Sequence, residues 1–377
     1  MVTLKPSYPA QPPRPGGFTA LTAICLAAWL GGCANLGYYA QAVDGHLAIR
    51  NRVQPIQAMV ANPDTDPALK RTLAAVVKLR EFATRELKLP DNQSFTIYAD
   101  IGRRYAIWSV SATPELSLEP ERWCFVAAGC VSYRGFFSEA EANRFAEDLR
   151  KKGYDVSVGG VRTYSTLGWF KDPILNTFLG YSDTEFAQLI FHELAHQVVY
   201  VRDDSTFNES FATAVELEGI ARWLDEHGTD EQRAVFDATQ KRKSASAALM
   251  LNYRKRLEDL FASGASIDEK RAAKSRIYAE LSEKMFALGT GTGKAKLSNP
   301  DRRPRQYLNN AHLASVSTYT QLVPAFHALL ARQKGNMDQF YAAVRELSRL
   351  PQAERVSLLR GMEDGNKFAS NVAPRPQ

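Results

Sequence analysis

The run His192-Glu193-Leu194-Ala195-His196 constrains this chain more than any other stretch. Two imidazoles four residues apart meet on one face only if the backbone between them is helical, since a helical turn takes about 3.6 residues. Phe186, Leu189, Ile190, Ala195, Val198 and Val199 surround them with apolar side chains, so the helix is expected to pass through a core. Ser182 and Glu185 have the spacing of a capping box and mark its start. The pattern H-E-x-x-H on a helix binds zinc through both histidines and leaves the glutamate to work on a water. Zn2+ is therefore the expected cofactor, with His192 and His196 as ligands and Glu193 as the base. Catalytic zinc takes three protein ligands and keeps one position open. Glu209 and Glu216 lie downstream, share a helical face, and are the candidates; one can bind the ion while the other orients a ligand. Asp203 and Asp204 are nearer in sequence but fall in the expected turn. His46, His227, His312 and His327 are isolated.

With 377 residues, 45% of them hydrophobic, the chain can bury a sizeable core in one large or two moderate domains. Its net charge of +6 comes from scattered Lys and Arg, with no long basic run and no interleaved aromatics. That argues against a nucleic-acid partner. At the N-terminus, Lys5 and Arg14 accompany an apolar run from Phe18 to Leu30. It is too short for a bilayer core, which needs about 20 apolar residues. The run ends in Leu30-Gly31-Gly32-Cys33, which resembles the lipobox of bacterial lipoprotein signal peptides. That resemblance implies a signal peptide over 1–32, a lipid anchor on Cys33, and attachment to a membrane of the bacterial envelope. Ala34 stands where an aspartate would retain the protein at the inner membrane, which points to the outer membrane, facing the periplasm. Cys25 would leave with the signal. Cys124 and Cys130 then form a disulfide candidate in an oxidising compartment, and no second Cys or His pair completes a metal site with them.

Along the mature chain, 38–62 and 66–88 read as helices, the second stopped by Pro90. From 94 to 165 the pattern is strand-like at 95–98, 105–110, 123–126 and 156–158. Ser138 opens a helix that runs to Lys152 and ends at Gly153. A small antiparallel sheet with one helix on it accounts for this stretch. Residues 159–168 could be an edge strand that binds extended substrate by β-augmentation, or a core strand with a bulge. Residues 209–226, 229–263, 268–287, 309–332 and 335–348 read as helices. Gly289-Thr290-Gly291-Thr292-Gly293-Lys294 lacks the Ser or Thr of a phosphate loop and reads as linker, within a mobile loop over 289–306. The expected division is an N-terminal helical segment (33–90), a catalytic core (91–228), a helical subdomain (229–368) and a disordered tail (369–377).

His192-Glu193-Leu194-Ala195-His196-Gln197 followed by Asn208-Glu209-Ser210-Phe211-Ala212 and Val215-Glu216 resembles the alanyl-type aminopeptidases of the gluzincin group. The resemblance implies that Glu209 is the third ligand and Glu216 a residue behind the ligands. With the lipobox and the Trp-Cys…Cys-Val-Ser-Tyr-Arg-Gly segment, the whole chain is similar to a bacterial family of predicted or putative aminopeptidases. The segment between the two motifs is shorter here, and no Gly-x-Met-Glu-Asn segment, which binds the substrate's free amine in the alanyl-type enzymes, is present. The resemblance implies an α+β fold: a zincin-like core with a small antiparallel sheet and the site-bearing helix, then a mostly α-helical C-terminal part. It implies a zinc peptidase acting on peptide or protein substrates by Glu193-assisted attack of water. A tyrosine should stabilise the oxyanion. Tyr164, Tyr307 and Tyr319 are candidates, and Tyr319 is favoured because related enzymes supply this group from downstream helices. Two other readings compete: a zinc endopeptidase, and an envelope binding or assembly module with a structural or vestigial metal site. Nothing in the sequence sets an oligomeric state.

Overall fold

A computed structural model describes residues 37–125, 129–166, 168–290 and 308–370. The expected signal segment, Cys33, Tyr307 and the linker beyond Thr290 lie outside the described residues. The chain divides into two compact units, Met1–Ala48 and Ile49–Gln377. Residues 37–50 form helix α1. The single helix expected over 38–62 is interrupted by strand β1 (Val53–Pro55), and α2 (Ile56–Ala61) follows. Pro55 has no amide to give a helix and sits instead at the N-cap of α2 with extended backbone, φ −62° and ψ 127°. Helix α3 (Pro67–Arg85) starts where expected. The Asp66 carboxylate accepts from the amides of Ala68 and Leu69, and Pro67 takes the first turn. Its apolar stripe Leu73, Val76, Leu79 and Phe82 is buried.

Among the described residues the strands divide among three small sheets. In one, β3 (Ile107–Pro114) lies between β6 (Arg134–Phe136) and β7 (Tyr154–Val161), antiparallel to both. Helix α4 (Glu139–Lys151), capped by Ser138, packs on that sheet. In the second, β2 (Ile97–Ala99) pairs antiparallel with β1 and parallel with β8 (Ile174–Leu175). The third is the hairpin of β4 (Trp123–Phe125) and β5 (Gly129–Val131), with Cys124 opposite Cys130 and a disulfide between them. Two- and three-residue strands carry too little alternation to announce their partners, so their division is decided by what they pack against. Residues 159–161 close the edge strand β7, but 162–166 leave the sheet. The reason is local: the Thr166 amide and the hydroxyls of Ser165 and Thr166 all bond the buried Asp172 carboxylate.

Helix α5 (Asp183–His196) begins at the Ser182–Glu185 capping box and lies beside α6 (Ser205–His227). The two approach closely at Gly219, where an added Cβ would stand 2.6 Å from both Leu87 and Phe191 side chains. Helices α7 (Asp230–Ala262) and α8 (Ile267–Thr290) pack on each other around Tyr253, Leu257, Tyr278 and Leu281, with Leu313 of α9 (Asn310–Thr320). The helix expected over 309–332 is two, α9 and α10 (Val323–Arg332), because Pro324 can only occupy a first turn. Helices α11 (Met337–Ser348) and α12 (Gln352–Ser370) complete the fold. The last extends through Ala369 and Ser370, two residues expected to belong to a tail; 371–377 are not described. Likewise Gly289 and Thr290 end α8 rather than open a loop. The fold is α+β with a mostly helical C-terminal part, and among the described residues no helix is long and apolar enough to cross a membrane.

Candidate metal centre

Helix α5 supplies His192, Glu193 and His196, and the chain must then return so that α6 faces it. The turn is set by side chains. Asn208 accepts from the Val201 amide at 2.8 Å and donates to the Val201 carbonyl at 2.7 Å. Asp204 caps α6 through the Phe207 amide at 3.1 Å and makes a buried ion pair with Arg355 of α12. Asp203 takes a left-handed backbone, φ 68°, and accepts from the Cys130 amide. These tasks account for Asp203 and Asp204, which stay out of the donor group, and they fix where α6 begins and so where Glu209 points.

The donor atoms converge. His192 Nε2 lies 3.2 Å from His196 Nε2 and 3.2 Å from Glu209 Oε2, and His196 Nε2 is 3.7 Å from the same oxygen. A tetrahedral ion with bonds of about 2.0–2.1 Å holds its ligand atoms roughly 3.3–3.4 Å apart. The triangle therefore has the size that two imidazoles and one carboxylate adopt around zinc. Glu216 stands on the other side of His192, with Oε2 3.0 Å from Nδ1, and Gln188 donates to its second oxygen. A carboxylate there fixes the ring's tautomer and orientation and leaves Nε2 free for a metal. The matching atom of His196, Nδ1, is buried without a hydrogen-bond partner among the described residues.

Two carboxylates around these rings make a site of negative potential. Burial works against a charged His192, but its bonds to Glu209 and Glu216 pull its pKa well above the usual value. Burial also opposes ionisation of Glu209, yet the contacts with His192 and His196 hold its carboxyl well below the ordinary range. A divalent cation at this point would balance that charge. The pKa of Glu193 is raised, chiefly by burial, with His192 and His196 opposing; Ser165, whose hydroxyl donates to Asp172, lies beside it.

Of the tyrosines proposed from sequence, Tyr164 packs on Phe137 at 5.4 Å and is pushed up to about 12 by burial and the nearby Asp172. Tyr319 belongs to α9, but its side chain is outside the described residues, as is Tyr307. Tyr200, which the sequence reading passed over, has its ring 6.5 Å from that of His196 and its pKa raised by burial and by Glu209. Its spacing of four from His196 was the available signal. Ser165 carried no such signal, since it reaches Glu193 from a separate loop. His227 stacks on Trp223 and His312 bonds Ser157 and Asn309, so neither joins the site.

A model of the family described as putative aminopeptidase matches residues 37–359, a span that contains every residue of this site. No curated protein and no solved structure matches the chain.

Proposed function

The chain belongs to the putative aminopeptidase family, and from that membership and the donor geometry we propose that it is a zinc-dependent aminopeptidase; from the lipobox resemblance of Leu30–Cys33 we propose that lipid on Cys33 holds it to the bacterial envelope. The observation that carries the proposal is the triangle of His192, His196 and Glu209, whose ligand atoms all lie within 4.8 Å of one another. These three residues would hold the ion. When bound, zinc supplies Lewis acidity, which activates a water and polarises the scissile carbonyl at neutral pH. Glu193, between the two histidines on α5, takes the proton from the attacking water and delivers it to the leaving amine. Glu216, backed by Gln188, keeps His192 turned toward the ion. Tyr200 beside His196 joins Tyr319 as a donor for the developing oxyanion.

The test uses the full chain carrying Cys33→Ser, which takes no lipid, beside the same protein with Glu193→Gln. Zinc content is measured together with cleavage of aminoacyl-amides and of internally quenched peptides. One zinc per chain in both proteins, with cleavage lost in the variant, is the expected result. Preference for internally quenched peptides would replace the aminopeptidase with an endopeptidase. Zinc bound without cleavage by either protein would favour a binding module, and absence of zinc would overturn the assignment.

A further inference from the structure

The hairpin of β4 and β5 is fastened to the turn that joins α5 to α6. Its strands have three residues each and pair with no other strand among the described residues. A two-stranded hairpin of this kind is marginal in water without a further tie. The disulfide between Cys124 and Cys130, which stand directly opposite each other, is that tie. Hydrogen bonds then carry the hairpin onto the turn. The Cys130 amide donates to Asp203 Oδ1. Arg122, just ahead of β4, donates to the Cys130 carbonyl at 3.1 Å and to the Asp203 carbonyl at 2.9 Å. The approach is close: Gly129 has φ 74°, and a Cβ there would stand 2.6 Å from Arg202 Cγ and from Asp203 Oδ1. Asp203 holds its left-handed backbone at a cost that such contacts must offset. The next residue, Asp204, caps α6, and Glu209 follows in that helix.

We propose that the Cys124–Cys130 disulfide is a redox-controlled clamp on the α5–α6 turn, and through it on the placement of Glu209 against His192 and His196. Cys124 is exposed, so a dithiol reductant can reach it. One thiolate of the reductant attacks a disulfide sulfur and forms a mixed disulfide, which its second thiol resolves. The reductant leaves as its own disulfide, and two electrons and two protons turn Cys124 and Cys130 into thiols. The hairpin loses its crosslink, the Cys130 amide loses its fixed place on Asp203, and α6 loses its fixed start. A metal centre whose third ligand is less firmly placed binds its ion more weakly. By linkage, bound zinc disfavours the reduction by the same factor. The effect on zinc rests on the peptidase reading of the site; the effect on the turn does not.

The experiment uses the full chain carrying Cys25→Ser and Cys33→Ser, which leaves Cys124 and Cys130 as its only cysteines. This oxidised protein is compared with one that also carries Cys124→Ser and Cys130→Ser, which imitates the opened hairpin without offering thiols to a metal. Zinc affinity is measured by chelator competition, and amide hydrogen exchange is followed at short labelling times in the metal-free proteins. The expected result is zinc binding weakened tenfold or more, still one ion per chain, with faster exchange over 201–209 while α3 and α11 stay protected. Asp203→Gly, with the disulfide intact, should do the same. Asp203→Asn, which keeps an acceptor oxygen and tolerates the left-handed backbone, should not. Unchanged exchange over 201–209, an equal rise in α3, or unchanged affinity in a chain that binds zinc would overturn the proposal. A chain that takes no zinc in either form defeats the zinc reading alone, and the exchange still decides whether the hairpin clamps the turn.

Discussion

Arg355→Met removes a cation that the fold has enclosed. Arg355 on α12 and Asp204 ahead of α6 have side chains only 4% exposed each and approach to 2.5 Å. At a charge separation of ~4 Å and an effective dielectric of ~20, such a pair attracts by about 4 kcal/mol. That attraction offsets a desolvation cost already incurred on folding. Losing one partner leaves the other buried and unpaired, at a cost of about 3–5 kcal/mol. Methionine fills much of the same space, so the cavity contribution is small. The variant also abandons the carbonyls of Leu350, at 2.7 Å, and Ser348, at 3.3 Å, and the guanidinium's seat over the Phe207 ring. We expect urea unfolding to show a loss of about 3–5 kcal/mol with an unchanged slope. Asp204→Asn keeps an oxygen for the Phe207 amide and should cost less. The double variant should cost less than the sum of the two, because the stranded charge is gone. If Arg355→Met unfolds the chain outright, Arg355→Lys gives the measurable intermediate case. A loss below about 1 kcal/mol, the figure for an exposed pair, would refute the reasoning.

Glu216→Gln should lower zinc affinity about 10- to 100-fold while leaving one site per chain, read by chelator competition; unchanged affinity would deny Glu216 its part in orienting His192. Gly219→Ala places a Cβ against Leu87 and Phe191 and should destabilise by about 1–3 kcal/mol, measured by denaturant unfolding. A stable alanine variant would mean that α5 and α6 have room to separate. Replacing both Cys124 and Cys130 by Ser should cost about 2 kcal/mol, the chain-entropy figure for a loop this short, and reductant should do the same to the native chain and nothing further to the variant.

Features that depend on neighbours within a turn or two were legible in the amino-acid sequence. The 182–185 capping box, the pairing of His192 with His196 on one helix face, the Ser138 cap of α4 and the apolar stripe of α3 all arise from residues three or four apart, and each is found where the spacing puts it. Proline left readable marks too. Pro55 and Pro324 each forbid a continuous helix, and periodicity alone overrode them. Helix α12 was illegible for another reason. Gly361 and Gly365 weaken its intrinsic propensity, and it is held by long-range contacts, the Arg355 pair and the fully buried Leu359.

At the candidate metal centre the division is the same. The sequence by itself determined that two imidazoles and a glutamate would share one helix, because helical geometry is local. It also narrowed the third ligand to two glutamates on one face of the next helix. The family resemblance favoured Glu209 as the ligand with Glu216 behind it; the physical reason lies in the tertiary structure, where Glu209 meets His192 and His196 while Glu216 meets the far nitrogen of His192. The angle at which α6 crosses α5 is set by Asn208, Asp204 and the close packing at Gly219, and those contacts join residues that no local rule connects. The same holds for Ser165 beside Glu193. Burial and charge converge there because the chain folds back on itself, and one-dimensional spacing carries no record of that return.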